Sequence, residues 1–121
     1  MRRDEDLLSL FKRYRPGNIA TVPPVVAEIE FGLQRLDMNS KKYLLLRAQQ
    51  EKLLGLIAVL AWTPDASRRF GKIKFDLASR GELIDDFDIA IAAIAMSHQC
   101  GVITANVRHF SRVDRLQILS W

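Results

Sequence analysis

The chain reads as an α/β domain, a three-layer α/β/α sandwich with a parallel sheet, and three observations predict it. Short, largely β-branched apolar runs at 18–22, 56–62, 102–104 and 117–119 alternate with longer segments of helical period. The segment Ile89 to Met96 is apolar on every side of a helical wheel, which places that helix deep in the interior. Gly101 then stops it, and Val102, Ile103 and Thr104 follow at once as a short buried strand, the helix-to-strand half of an α/β unit. A polar cluster just past such a strand is where open α/β sheets place their ligands.

With 121 residues, 49% of them hydrophobic, the chain is long enough for one cored domain, 1–121. No apolar run reaches the roughly 18 residues needed to cross a bilayer, and no basic-then-apolar leader opens the sequence. The expectation is a cytoplasmic protein with no membrane partner. Cys100 is the single cysteine, which excludes an intrachain disulfide and a cysteine-based zinc site, and it is expected as a buried, inert thiol. A net charge of +4 is compatible with a polyanionic partner without identifying one.

In chain order, Asp4 is placed to cap a helix carrying Leu7, Leu8, Leu10, Phe11 and Tyr14, ended by Pro16 and Gly17. A strand at 18–22 is broken by Pro23 and Pro24, which open the next helix because proline is tolerated in a first turn. Val25, Ile29, Leu33 and Leu36 form its apolar stripe. Asn39 or Ser40 caps a longer helix through about Leu54, with Gly55 as its stop and a strand from Leu56 to Trp62. Thr63, Pro64 and Asp65 start a helix to about Arg80, with Phe70, Ile73 and Leu77 inside and Arg68, Arg69, Lys72 and Lys74 outside. Such a basic face is commonly plain solvated surface. Gly81 closes that helix, and Asp85, Asp86 and Asp88 crowd the first turn of the next, where unpaired N–H groups and the macrodipole favour carboxylates.

Three motifs in this order resemble those of the PIN-domain ribonucleases, most closely the VapC toxins of toxin-antitoxin pairs. They are Ala27-Glu28-Ile29-Glu30-Phe31-Gly32, then Ile84-x-x-x-Asp88-x-x-Ile91-Ala92, then Thr104-x-Asn106-x-x-x-Phe110 after Gly101. The closing Ser-Trp is similar too. The resemblance implies a Mg2+-dependent (or Mn2+-dependent) endoribonuclease that cuts RNA and is restrained by a cognate antitoxin; a homodimer is expected because a sheet without the family's central strand would expose unpaired edges and apolar surface. It assigns Glu28, Asp88 and Asn106 as metal ligands and adds Thr104 to the catalytic set, orienting a water or a phosphate. Arg108 and Arg112, on the basic segment around Phe110, are candidates for nucleic acid. Members of this family usually open with a strand ending in Asp-Thr-Asn and a helix before the segment that resembles residues 3 to 14. Neither is present here, which raises a late start codon, a truncation or a divergent member as readings, and leaves two carboxylates where the family has three.

Such residues suit the chemistry. Hydrolysing a phosphodiester needs an activated water and neutralisation of charge on the phosphoryl oxygens, and a hard cation held by oxygen ligands supplies both. Each residue also has a structural reading. Asp85 and Asp86 read as helix caps. Glu28 and Glu30 flank one apolar stripe, so that spacing does not choose between them and only the motif favours Glu28. Asn106 serves equally to satisfy a turn. His98 and His109 read as surface or stacking residues, and Trp62 and Trp121 as packing residues. The functional alternative to the enzyme is a catalytically impaired PIN-like module that binds antitoxin, RNA or itself.

Overall fold

The computed structural model describes residues 9–119. The chain divides between Val59 and Leu60 into two compact units. Asp4, which was expected to cap the first helix, and Trp121 lie outside the described residues.

In the first unit, residues 9–13 are helical, and the Tyr14 N–H donates to the Leu10 carbonyl at 2.8 Å. Pro16–Asn18 form a single 3-10 turn that leads into strand β1, Ala20–Thr21. Helix α1, Pro23–Gln34, follows Val22 without a side-chain cap. Its two leading prolines stand where backbone N–H groups would have no helical partner in any case. Helix α2, Lys41–Leu56, is capped by Ser40, whose Oγ accepts the Tyr43 N–H at 3.1 Å. Gly55 does not stop this helix. It lies within the last turn, the Ile57 N–H still reaches the Leu53 carbonyl at 3.1 Å, and the exit is made by Ile57 in an extended conformation, which needs no glycine. Strand β2, Ala58–Val59, pairs in parallel with β1, Ala20 opposite Ala58 and Thr21 opposite Val59. Leu10, Val22, Leu33 and Ile57 are buried, whereas Phe31, Met38, Leu44 and Leu45 are exposed.

The second unit holds the central stretch. Thr63 caps helix α3, Pro64–Ser79, its Oγ1 accepting the Ala66 N–H at 3.1 Å. Gly81 ends it at φ +68°, with the Glu82 N–H on the Leu77 carbonyl (2.8 Å) and the Gly81 N–H on that of Ala78 (3.1 Å). This is a Schellman closure, and its left-handed residue is the one glycine accommodates without strain. Helix α4, Asp86–Ser97, buries Ile89, Ala90, Ala92, Ala93, Ile94 and Ala95, and packs closely with α3. Four of those six are alanines, which lets neighbouring backbones approach. The core joins α4 to Leu77, Ile84, Val102, Phe110 and Val113, with Phe70, Ile73, Leu116 and Ile118 packed around it.

Two expectations near the end of α4 are corrected. The helix stops before Gly101: His98 is its C-cap, Gln99 takes the left-handed position at φ +59°, and the Cys100 N–H closes onto the Ala95 carbonyl at 2.8 Å. Gly101 is required for another reason, because a Cβ there would lie 3.0 Å from the Gln117 carbonyl oxygen and 3.2 Å from Leu119. Cys100 is exposed, not buried, since it stands in the turn past the helix end. Strand β3, Val102–Ile103, then pairs in parallel with β4, Ile118–Leu119, and the short helix α5, Val107–Phe110, lies between them in sequence. All strand pairing among the described residues is parallel, as expected, and falls into two two-stranded sheets, β1-β2 and β3-β4.

Candidate functional site

Asp85, Asp86 and Asp88 sit within one turn, and the structure gives each a different role. Asp85 is the N-cap of α4, its Oδ1 accepting the Phe87 N–H at 2.8 Å. Asp86 pairs with Lys74 of α3 at 3.0 Å. Asp88 is oriented elsewhere: its Oδ2 faces His109 Nδ1 at 3.5 Å, and its side chain is 21% exposed.

The other side of this contact is built by β3 and α5. Thr104 follows β3 directly, and its Oγ1 accepts the Asn106 N–H at 2.9 Å, a local turn bond that fixes the Asn106 backbone. Asn106 occupies the N-cap position of α5 without capping it; its amide reaches His109 Nδ1 instead, at 3.0 Å. Asn106 and His109 are three residues apart on one short helical turn and therefore share a face. The next residue, Phe110, is 3% exposed in the core beside Ile89 and Ala92. This apolar anchor holds α5 against α4 and brings His109 to Asp88. Thr104, Asn106 and Asp88 thus form one polar cluster in the second unit, with His109 at its centre. Sequence reasoning set His109 aside as a surface or stacking residue. Its signal was the i, i+3 spacing from Asn106 combined with a buried aromatic immediately after it.

Around this cluster, Arg112 is turned toward the loop that precedes α4, its guanidinium lying 3.4 Å from the Glu82 carbonyl and 3.3 Å from that of Leu83. Arg80 donates to the Arg112 carbonyl at 2.8 Å while pairing with Asp76 and Glu82 at 2.8 and 3.0 Å. Its guanidinium is held more firmly protonated than usual, chiefly by the Asp76 hydrogen bond. Arg108 is exposed in the last turn of α5. On α3, Arg69 is bound to Asp65 at 2.8 Å and Lys74 to Asp86, so part of the expected basic face is neutralised locally. Asp65 is held below the usual carboxylate range, first by the Arg69 hydrogen bond. His98 lies apart from His109 in role: its Nε2–H donates to the Ala61 carbonyl at 2.9 Å and ties the end of α4 to the chain before α3.

In the first unit, the structure separates the two glutamates that spacing could not. Glu30 is taken by Arg47 of α2, whose guanidinium also stacks over the Tyr43 ring at 5.4 Å. That hydrogen bond lowers the Glu30 pKa and raises that of Arg47. Glu28 is exposed on α1, and no ion pair engages it among the described residues.

Among the described residues, no three His, Cys, Asp or Glu side chains gather as a metal group. The oxygen and nitrogen donors of Asp88, Asn106 and His109 nevertheless converge within one unit, and a carboxylate with an amide is the donor chemistry that a hard divalent cation takes when water and phosphate fill its remaining positions. The residues present fit such an ion.

The PIN domain family model matches residues 2–116. Ribonuclease VapC2 of Haemophilus influenzae is 30% identical over 120 residues, covering 99% of this chain and 87% of the relative. Of the solved structures, VapBC2 from Rickettsia felis, bound to a DNA fragment from its promoter, superposes with a TM-score of 0.79 at 22% identity, over 97% of this chain and 84% of that one. VapBC-1 from nontypeable Haemophilus influenzae gives 0.76 at 27% identity, over 86% and 75%. These likenesses agree with the parallel α/β architecture. The chain belongs to the PIN-domain family, within its VapC group.

Proposed function

We propose that the protein is a Mg2+-dependent or Mn2+-dependent endoribonuclease, the toxin of a toxin-antitoxin pair, and that Asp88 is its principal metal-holding carboxylate. The observation that carries this reading is the division of labour at the start of α4. Asp85 is committed to the helix cap and Asp86 to Lys74, while Asp88, partly buried, is turned toward His109, which the Asn106 side chain also reaches. Asn106 would add a neutral oxygen, and Thr104 fixes the turn that presents it. Glu28 enters on its motif and on the commitment of its neighbour Glu30 to Arg47. When bound, the cation supplies charge neutralisation at the phosphoryl oxygens and lowers the pKa of an attacking water. The protein's own share is positional: Phe110 and the Thr104 turn set the donor atoms before substrate arrives.

The partners follow from the VapC group. RNA is the proposed substrate and a cognate antitoxin the proposed inhibitor. Phe31, Leu44 and Leu45, between 58% and 62% exposed on the helix pair of the first unit, offer apolar surface for a protein partner, the antitoxin or a second copy of the chain. Incubating the purified chain with single-stranded RNA tests the reading. Cleavage should require Mg2+ or Mn2+, stop in EDTA, resume on adding metal back, and be suppressed by the co-expressed antitoxin. Equal cleavage in EDTA would overturn the metal mechanism. Intact RNA under all conditions, together with tight antitoxin binding, would leave a binding module in place of an enzyme.

A further inference from the structure

We infer that His109 is a third donor to the cation held by Asp88 and Asn106, and that its nitrogen makes the site prefer Mn2+ to Mg2+. The inference rests on the metal-site reading above and adds to it a ligand and a selectivity.

Geometry is the first argument. His109 Nδ1 lies 3.5 Å from Asp88 Oδ2 and 3.0 Å from the Asn106 side-chain amide nitrogen. Ligand atoms at neighbouring corners of an octahedral ion with bonds of about 2.1 Å stand about 3 Å from one another. His109 Nδ1 is therefore spaced from each of the other two groups much as adjacent ligands of one small cation are. Turning the Asn106 amide over places Oδ1 where Nδ2 now stands, so that an oxygen on each side of His109 Nδ1 can share a cation with it.

The electron count is the second. With the Asn106 amide turned over, a neutral His109 protonated on Nε2 keeps its single Nδ1 lone pair free, and Asp88 Oδ2 brings another lone pair to within 3.5 Å of it. Two electron-pair donors facing each other are bridged either by a proton on Nδ1 or by a cation. A divalent cation satisfies both at once, and the 42% exposure of the His109 side chain leaves room for water and phosphate on the open side.

Ligand type sets the preference. Mg2+ favours oxygen ligands and retains its water, whereas imidazole is a ligand of first-row transition cations, a series that Mn2+ opens. A site of carboxylate, amide oxygen and imidazole accordingly shifts selectivity toward Mn2+. The Nδ1 atom is brought into place by Phe110, buried one residue further on, and by the shared face of α5.

Mn2+ itself is the probe. Metal-stripped protein is titrated with Mn2+ and followed by electron paramagnetic resonance, with pulsed measurements of nitrogen coupling and displacement by Mg2+, in the parent chain, His109→Gln and Asp88→Asn. The parent should show imidazole nitrogen coupled to bound Mn2+. His109→Gln should lose that coupling and need about tenfold less Mg2+ for displacement, the scale on which a change in the ligand environment alters affinity. Far-UV circular dichroism confirms that the variant is folded, and the parent spectrum stands without any variant. Bound Mn2+ with no nitrogen coupling in the parent, or unchanged displacement in His109→Gln, overturns the inference. If Asp88→Asn abolishes binding while the parent shows no nitrogen, only the His109 role falls. If Mn2+ binding is absent or indifferent to Asp88→Asn, the metal-site reading falls with it.

Discussion

Asp85 and Asp88 stand within one turn of the same helix and face different partners: Asp85 Oδ1 accepts the Phe87 N–H at 2.8 Å, and Asp88 Oδ2 faces His109 Nδ1 at 3.5 Å. Charge alone would treat the two alike, since both carboxylates favour the positive end of the α4 dipole. Their hydrogen-bond partners separate them. Replacing the cap should therefore act on stability: Asp85→Ala is expected to cost about 1 kcal/mol in urea unfolding, with RNA cleavage changed less than twofold. A tenfold loss of cleavage in a folded Asp85→Ala protein would contradict the division of roles.

Phe110 links the core to the cluster. At 3% exposure, packed with Ile89, Ala92 and Val102, its truncation to alanine should destabilise the chain by about 3–5 kcal/mol. Because the same residue brings α5 to α4, metal binding should weaken together with stability, and calorimetry on the variant reads both. A Phe110→Ala protein as stable as its parent would show that α5 is not anchored through this side chain.

Glu30 and Arg47 give a pH signature of their own. Arg47 holds the Glu30 pKa below its ordinary value of 4.5, so the pair's contribution is complete above that value and is lost as pH falls through the lower folded one. Glu30→Gln removes it at all pH values. The melting-temperature gap between parent and Glu30→Gln should be constant from pH 7 to about 5 and close below about 4, the region where a depressed carboxylate takes up its proton. The gap will be small, because the pair is well exposed. A gap that persists undiminished to about pH 3 would assign it to packing and not to charge.

The two glutamates of α1 should also differ in activity. Glu28→Gln is expected to reduce metal-dependent cleavage by about two orders of magnitude, the upper scale for disturbing a metal site's ligand environment, whereas Glu30→Gln should leave the rate within about threefold. Single-turnover rates on one RNA at saturating enzyme separate them. Equal losses would return the choice of glutamate to where spacing leaves it.

Much of this arrangement is legible in the sequence, for reasons particular residues make clear. The all-apolar run from Ile89 to Met96 identifies a buried helix, because no stripe of it can face water. Ser40, Thr63 and Asp85 mark helix starts through side-chain oxygens that accept the N–H groups two or three residues on. Helix ends were harder to read. Gly55 and Gly101 look like stops, yet Ile57 leaves α2 in an extended conformation and Gln99 takes the left-handed position after α4. Gly101 answers to the Gln117 carbonyl, a neighbour distant in sequence. Burial of Cys100 fails for the same reason, since its exposure follows from where α4 ends. The choice between Glu28 and Glu30 needs Arg47, seventeen positions beyond Glu30, to be placed in space. The role of His109 depends on packing as well: it becomes a neighbour of Asp88 only because Phe110 is driven into the core.

The measurement that bears most directly on the central claim is metal-dependent RNA cleavage by Asp88→Asn, with Asp85→Asn as its control. Both changes keep side-chain size and remove one carboxylate charge from the start of α4. The account predicts that Asp88→Asn abolishes Mg2+-dependent and Mn2+-dependent cleavage while the fold is retained, and that Asp85→Asn cleaves at close to the parent rate. Cleavage by Asp88→Asn at the parent rate, or parallel losses in the two variants, would contradict it.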